Sequence, residues 1–261
     1  MKILELTNFS EGACGVWQRV KQESIELSKR GYKVKIFSSN AIKDSEELAS
    51  QTQKIKNIKL QRFHYKKFGG ESFMSWLNAG VVDRAVNFEP DIIIAHSYRH
   101  PHTHAALKIA KKLRKKSKKC KVFLVTHAPF ARDSSRSLIQ KIFVNIYDFI
   151  LGPKILKKFD EIIAISKWEI PYLLDLGLAE NKIKYISNGI PEEFFKIKLK
   201  KGRGILFLGR VSPIKNLEVL IRAVSAFTKL NLDIVGPADP KYLDKLNKII
   251  QSENIKNVKF F

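Results

Sequence analysis

Arg210 and Lys215 stand five positions apart in the stretch Gly209-Arg210-Val211-Ser212-Pro213-Ile214-Lys215-Asn216. A guanidinium grips a phosphate as a planar fork, and an ammonium adds a mobile point charge. The residues before them, Ile205–Leu208, read as a buried strand. Those after them place Leu217, Leu220, Ile221, Val224 and Phe227 at helical spacing. Asn216 suits the N-cap of that helix, and Glu218 and Arg222 make a supporting i, i+4 pair. A strand, a short loop and a helix N-terminus would thus set two cations beside unpaired backbone N–H groups, which favours an anion.

The histidines are the second group with chemical potential. His127 closes the apolar run Val122–Thr126, and parallel α/β sheets collect polar groups at such strand ends. A purely structural histidine is the plain alternative. His96, His100, His102 and His104 crowd one segment, and alternate histidines can share a metal. No acid or cysteine lies beside them and Pro101 stiffens the loop, so a polar lining on an acceptor side (His96, His100, His102) is expected and a metal is not. Gly12 and Gly15 would let the backbone approach a ligand and leave the next helix N-terminus open. A tight turn explains them equally. Ser166 and Asn188 could approach the same site, and capping or turn roles serve as well.

These residues need a frame. The chain has 261 residues, with 48 Lys and Arg against 25 Asp and Glu, a net charge of +23. Such a surplus favours anionic partners, although a lysine-rich background would look the same. Cys14 and Cys120 have no paired spacing, which speaks against a disulfide framework or thiolate metal site and fits a reducing compartment. No signal-peptide core and no membrane-length apolar run is visible, so a cytoplasmic protein is expected.

Strand and helix signals alternate, the signature of an open parallel α/β sheet. Strands are predicted at Lys2–Thr7, Lys33–Ser38, Asn57–Phe63, Asp91–Ala95, Val122–Thr126 and Glu161–Ile165. Helices are predicted at about Gly15–Lys29, near Ser72–Asn87, after Thr103, and from Ser137 to Phe159 with a break at Gly152-Pro153. The last stretch carries Leu138, Ile139, Ile142, Phe143, Ile146 and Ile150, expected to pack on the sheet in preference to facing a membrane. Residues 1–195 form a first Rossmann-like domain, 196–203 a linker, and 204–261 a partial second one. The second contains Ile205–Leu208, Asn216–Lys229, Leu232–Val235, Asp239–Gln251 and Val258–Phe261. A cleft between two such domains is the default site.

Read in order, several stretches resemble glycosyltransferase family 4, whose members have the GT-B fold. Gly12-Ala13-Cys14-Gly15 is similar to the glycine turn after the family's first strand. Pro90-Asp91-Ile92-Ile93-Ile94-Ala95-His96 resembles its PD-x4-H strand, and Val125-Thr126-His127 its strand ending in histidine. Phe159 to Ser166 resembles a-D-x-I-I-x-x-S, and Tyr185 to Ile190 the I-x-N-G-I/V that precedes the interdomain linker. The Arg210–Lys215 loop resembles GR-x-S-P-x-K-N.

The resemblance implies a glycosyltransferase, retaining, that moves a sugar from a nucleoside-diphosphate sugar to a hydroxyl acceptor, lipid-linked or polysaccharide. Arg210 and Lys215 would hold the donor diphosphate, and His127 would lie near the donor sugar. Ala128 stands where the family often has aspartate, so the detail of His127's role is not carried over. Protein cations would replace a divalent ion, with no cofactor beyond the sugar nucleotide itself. The basic run from Lys108 to Lys119 fits an anionic membrane surface, which would place the protein peripherally at the inner face. Zinc-finger spacing and aromatic platforms for nucleic acid are lacking. The family's E-x7-E pair is expected beyond Phe261, and the Glu161/Glu169 spacing reads as coincidence. By that reading the donor domain is truncated, the chain alone turns over weakly, and a non-catalytic remnant that binds an acceptor, membrane or partner is the alternative.

Overall fold

The computed structural model describes residues 1–67, 74–130, 138–196, 198, 202 and 204–261. Contacts divide the described residues into two compact units, one holding 1–130 and 139–191, the other holding Leu138 and 192–261.

The first unit is built on eight strands: β1 (Lys2–Leu6), β2 (Lys33–Ser39), β3 (Thr52–Ile55), β4 (Ile58–Phe63), then β7 (Ile92–His96), β8 (Lys121–Val125), β9 (Glu161–Ala164) and β10 (Ile183–Tyr185). A separate two-stranded ribbon pairs β5 (Lys66–Lys67) with β6 (Met74–Ser75). The main sheet runs β10-β9-β8-β7-β1-β2-β4-β3, parallel except for the β3–β4 hairpin. Central strands such as Ile92-Ile93-Ile94-Ala95 are nearly continuous apolar runs because parallel sheets are covered on both faces.

The helices of this part of the chain are α1 (Gly15–Lys29), α2 (Ala79–Phe88), α3 (Pro101–Lys115), α4 (Leu138–Ile146), α5 (Gly152–Leu156) and α6 (Glu169–Asp175). One core lies under α2, α3 and α5, around Leu4, Leu6, Ile93, Ile109, Leu124 and Phe159. The opposite face packs Trp17 and Val20 of α1 against Ile3, Ile36 and Ile94. The helix predicted near Ser72–Asn87 begins only at Ala79. Met74–Ser75 is ribbon, Asn78 caps the helix by accepting from Val81 N at 3.0 Å, and residues 72 and 73 lie outside the described ones.

The stretch expected to break at Gly152-Pro153 continues through it. A π-helical turn, Tyr147–Leu151, precedes α5, and Pro153 occupies the first turn of α5, where no helical N–H is needed. Its apolar face is not core. Leu138, Ile139, Ile142, Phe143, Ile146 and Ile150 are all exposed, and Phe149 retains 86% of its surface. The segment is fastened by its later part. Asp148 pairs with Arg99, Tyr147 bonds His104 at 2.9 Å, and Ile155 and Leu156 enter the core. Nothing among the described contacts draws α4 onto the sheet.

The second unit is a βαβαβ run: β11 (Gly204–Leu208), α7 (Leu217–Ser225), β12 (Asn231–Val235), α8 (Pro240–Ser252) and β13 (Val258–Phe260). The strands are parallel in the order β11-β12-β13. Leu217, Ile221 and Val224 face Leu232, Ile234, Tyr242 and Leu246. Phe227 lies past the end of α7 and is 61% exposed, outside the core face that its spacing implied. Glu218 and Arg222 do not pair with each other. Tertiary partners win: Lys245 meets Glu218 at 2.7 Å, and Arg222 meets Glu253 at 2.8 Å.

Candidate functional site

In the first unit the sequence-predicted groups gather where β1, β7 and β8 end. His127 follows β8 in the left-handed region, φ 57°, as does Ala128, φ 54°. Ser97 and Arg99, after β7, are left-handed too. Such conformations are unfavourable for residues with a Cβ and persist where surrounding contacts overdetermine them. For the loop after β8 a restraint comes from Glu169 at the start of α6. Its fully buried carboxylate accepts from Ala128 N, Ile165 N, Ser166 N and Ser166 Oγ, each at 2.9 Å, and from the Thr126 hydroxyl. One carboxylate thus ties the loop after β8 to the loop after β9. Ser166 is absorbed in this knot.

His127 Nε2 lies 3.0 Å from His96 Nδ1, and His96 Nε2 lies 2.7 Å from Glu5 Oε2. Glu5 and His96 have no exposed surface. Burial raises the Glu5 carboxyl to about 8 and lowers the His96 imidazole to about 4, since each charged form would be stripped of water. The same cause holds His127 far below the ordinary imidazole range. Arg19 of α1 lowers the Glu5 value somewhat, and is itself fixed by Glu23 at 3.3 Å, Ile186 O at 3.2 Å and Asn188 Oδ1 at 2.8 Å. Asn188 therefore serves as an anchor for Arg19.

The remaining histidines divide by burial. His102 is wholly buried, stacked 6.0 Å from Trp76, and its Nε2–H donates to the His96 carbonyl. Neither His96 nor His102 has side-chain surface to offer an acceptor; both lie beneath the site. His100, partly exposed just before α3, accepts from the Asn8 amide at 2.8 Å. Among the described residues no three His, Cys, Asp or Glu side chains group closely enough to hold a metal.

Gly12 and Gly15 behave differently. Gly12 has φ +84°, and a Cβ there would come within 2.6 Å of the Lys43 carbonyl oxygen. Its loop is clamped by buried Arg62, which bonds Ser10 Oγ at 2.7 Å and the Ser10 carbonyl at 3.2 Å. Gly15, the first residue of α1, faces open space.

In the second unit Arg210 and Lys215 are both exposed in the loop after β11. A short 3₁₀ turn, Pro213–Lys215, brings the chain round to α7. Asn216 occupies the cap position in a left-handed conformation, φ 48°, without a side-chain cap bond. The Leu217 N–H at the helix start is satisfied by the Tyr242 hydroxyl at 2.9 Å, so this amide is not open to an anion as the sequence had implied.

Glu5, Arg19 and Glu169 escaped the sequence reading. Glu5 left one trace, a carboxylate inside the apolar run Ile3-Leu4-Glu5-Leu6. Glu169 belonged to the spacing read as coincidence, and its task is local to the first unit.

A large parallel sheet with polar groups at its strand ends, followed by a smaller βαβαβ unit led by a basic loop, is the architecture of a GT-B glycosyltransferase. The chain belongs to glycosyltransferase family 4, whose family model matches residues 13–194, and residues 189–261 match glycosyl transferases group 1. Among solved structures it is similar to Alr3699/HepE of Anabaena in complex with UDP and glucose. That likeness has 18% identity and a TM-score of 0.61, covering 100% of this chain and 69% of that one. The lipopolysaccharide outer core galactosyltransferase WaaB, in apo form, gives 18%, 0.59, 100% and 68% in the same order. A structure described as trehalose-6-phosphate from E. coli bound with UDP-2-fluoro glucose gives 12%, 0.62, 100% and 73%. No curated protein matches. At these identities the structural likeness establishes the fold, and the family match establishes a glycosyltransferase.

Proposed function

We propose that the chain transfers a sugar from a nucleoside-diphosphate sugar to a hydroxyl acceptor, with retention and without a metal. The observation that carries this reading is the exposed Arg210–Lys215 loop after a parallel strand, in a chain that belongs to a glycosyltransferase family. Similar folds crystallised with UDP, UDP-glucose and UDP-2-fluoro glucose support a nucleotide donor. As the anomeric bond breaks, negative charge grows on the leaving diphosphate while the sugar becomes oxocarbenium-like. Fixed cations around that diphosphate give the largest help a protein can offer. Arg210 supplies a two-pronged grip and Lys215 a point charge. His127 contacts the sugar in the transition state, and open space at Gly15 admits a ligand close to the backbone of α1.

Calorimetry with UDP, ADP and GDP, each with and without EDTA, tests the reading. Arg210→Ala should weaken the preferred nucleotide by about tenfold to a hundredfold, the worth of a charge-assisted hydrogen bond. Unchanged affinity in that variant would falsify the diphosphate assignment, and loss of binding in EDTA would remove metal independence.

A membrane-surface acceptor is favoured by a separate observation. The exposed apolar segment through α4 continues into α5, whose Ile155 and neighbouring Lys158 line a pocket of about 840 Å³ together with Lys108, Lys111, Arg114 and Lys115 of α3. Apolar surface beside a cationic pocket suits anionic lipid: apolar side chains enter the interface and lysines meet headgroups. This would place the protein peripherally at such a surface, acting on a lipid-linked acceptor.

A further inference from the structure

Of the buried groups at these strand ends, sugar transfer as proposed above uses His127 alone, which leaves Glu5 and His96 without a task. Burying a carboxyl group and an imidazole in the middle of a sheet is costly unless their hydrogen bonds are arranged with care. They form an unbroken line with His127: Glu5 Oε2 to His96 Nε2 at 2.7 Å, and His96 Nδ1 to His127 Nε2 at 3.0 Å.

A neutral imidazole carries one N–H and one lone pair, so both hydrogen bonds in this line must run the same way. With Glu5 ionised, His96 donates to Glu5 and accepts from His127 Nε2–H, and His127 Nδ1 is a bare lone pair. With Glu5 protonated at Oε2 the direction reverses. Glu5 then donates to His96 Nε2, His96 Nδ1–H donates to His127 Nε2, and His127 Nδ1 carries the hydrogen. The second carboxyl oxygen, Glu5 Oε1, is buried with no hydrogen-bond partner. A neutral acid leaves only a carbonyl oxygen bare there, whereas a carboxylate would leave charge bare.

We propose that Glu5, His96 and His127 form a proton-transfer chain through which His127 exchanges a proton at Nδ1 without ever becoming an imidazolium. In the outward step the Nδ1 proton of His127 passes to solvent or ligand, the His96 Nδ1 proton passes to His127 Nε2, and the Glu5 proton passes to His96 Nε2. One proton leaves, negative charge appears on Glu5, and both rings stay neutral. Burial supports this order of events, since it disfavours imidazolium at either histidine and keeps Glu5 protonated up to about pH 8. The charged groups facing the chain are Arg19 and Glu23 of α1. Arg19 favours the ionised Glu5, and Glu23 opposes a second buried negative charge. His100 and His102 face it from the α3 side, and burial keeps His102 neutral.

The proposal deepens the reading of His127 as a reaction-centre residue, yet its main test needs no substrate. Nitrogen-15 NMR of the ligand-free full chain, labelled at histidine, reports which ring nitrogen of His127 bears hydrogen. The expected result is a tautomer exchange centred near pH 8, from Nδ1–H below to Nε2–H above. Glu5→Gln should abolish that transition, because glutamine satisfies His96 but does not titrate. His96→Gln should uncouple His127 from Glu5. A His127 tautomer that stays constant in the wild type between about pH 6 and 10, or an imidazolium there, overturns the chain without any variant. A transition that persists in Glu5→Gln also overturns it. Donor turnover against pH separates the two ideas: a spectroscopic switch with turnover indifferent to Glu5→Gln keeps the chain and leaves its proton transfer out of the reaction.

Discussion

Glu169 shows how much can hang on one side chain. A carboxylate without surface exposure gathers three backbone amides and two hydroxyls from the loops after β8 and β9. Among them is the amide of Ala128, whose left-handed backbone continues that of His127. Truncation to alanine leaves these donors buried and unsatisfied, each at a cost of about 1–3 kcal/mol. Glu169→Ala should therefore destabilise the protein by more than about 3 kcal/mol, with Glu169→Gln costing less because one acceptor oxygen remains. Urea unfolding at constant m-value measures this. Equal midpoints for wild type and Glu169→Ala would show that other contacts hold the His127 loop.

At the scale of the element, the turn into α1 assigns its two glycines opposite duties. Gly12 sits where neither the positive φ nor the Lys43 carbonyl at 2.6 Å permits a side chain. Gly12→Ala should cost upward of about 1 kcal/mol. Gly15 opens a helix with nothing near its missing Cβ, and alanine there should be neutral or stabilising by up to about 1 kcal/mol. The Gly12→Ala melt should fall while the Gly15→Ala melt holds or rises, and a large loss in Gly15→Ala would reveal a restraint that the geometry does not show. A similar division runs through the Ser137–Phe159 stretch. Its period is that of a packed helix, but only its later turns are fastened to the sheet.

Over the whole molecule the excess positive charge and the exposed apolar segment belong to one question: which surface covers α4 and its continuation. Ile142, Phe143 and Phe149 keep 57%, 60% and 86% of their surface, so replacing all three with serine should leave thermal stability nearly unchanged. Flotation with anionic vesicles should fall by at least about tenfold in that variant, since each large side chain contributes about 1.5–3 kcal/mol when buried. Wild-type binding should also weaken as salt is raised. Binding indifferent to lipid charge would remove the headgroup part of the idea. Concentration-dependent dimers that the serine variant abolishes would assign the face to a second copy of the chain.

Alternation of apolar runs with helical spacing determined the parallel α/β layout, and motif order determined the family, because both depend on residues near one another in the chain. Strand ends such as His127 and the basic loop at Arg210 were legible for the same reason. Local pairing rules failed where distant groups offered better partners: Glu218 went to Lys245, Arg222 to Glu253, and the Leu217 amide to Tyr242. The line from Glu5 through His96 to His127 joins residues 91 and 31 positions apart. Burial decided its proton chemistry, and burial belongs to the packed molecule because it depends on which strands become neighbours. The uncovered α4 face is the converse case, a helical period that the tertiary structure left without a sheet to lie on.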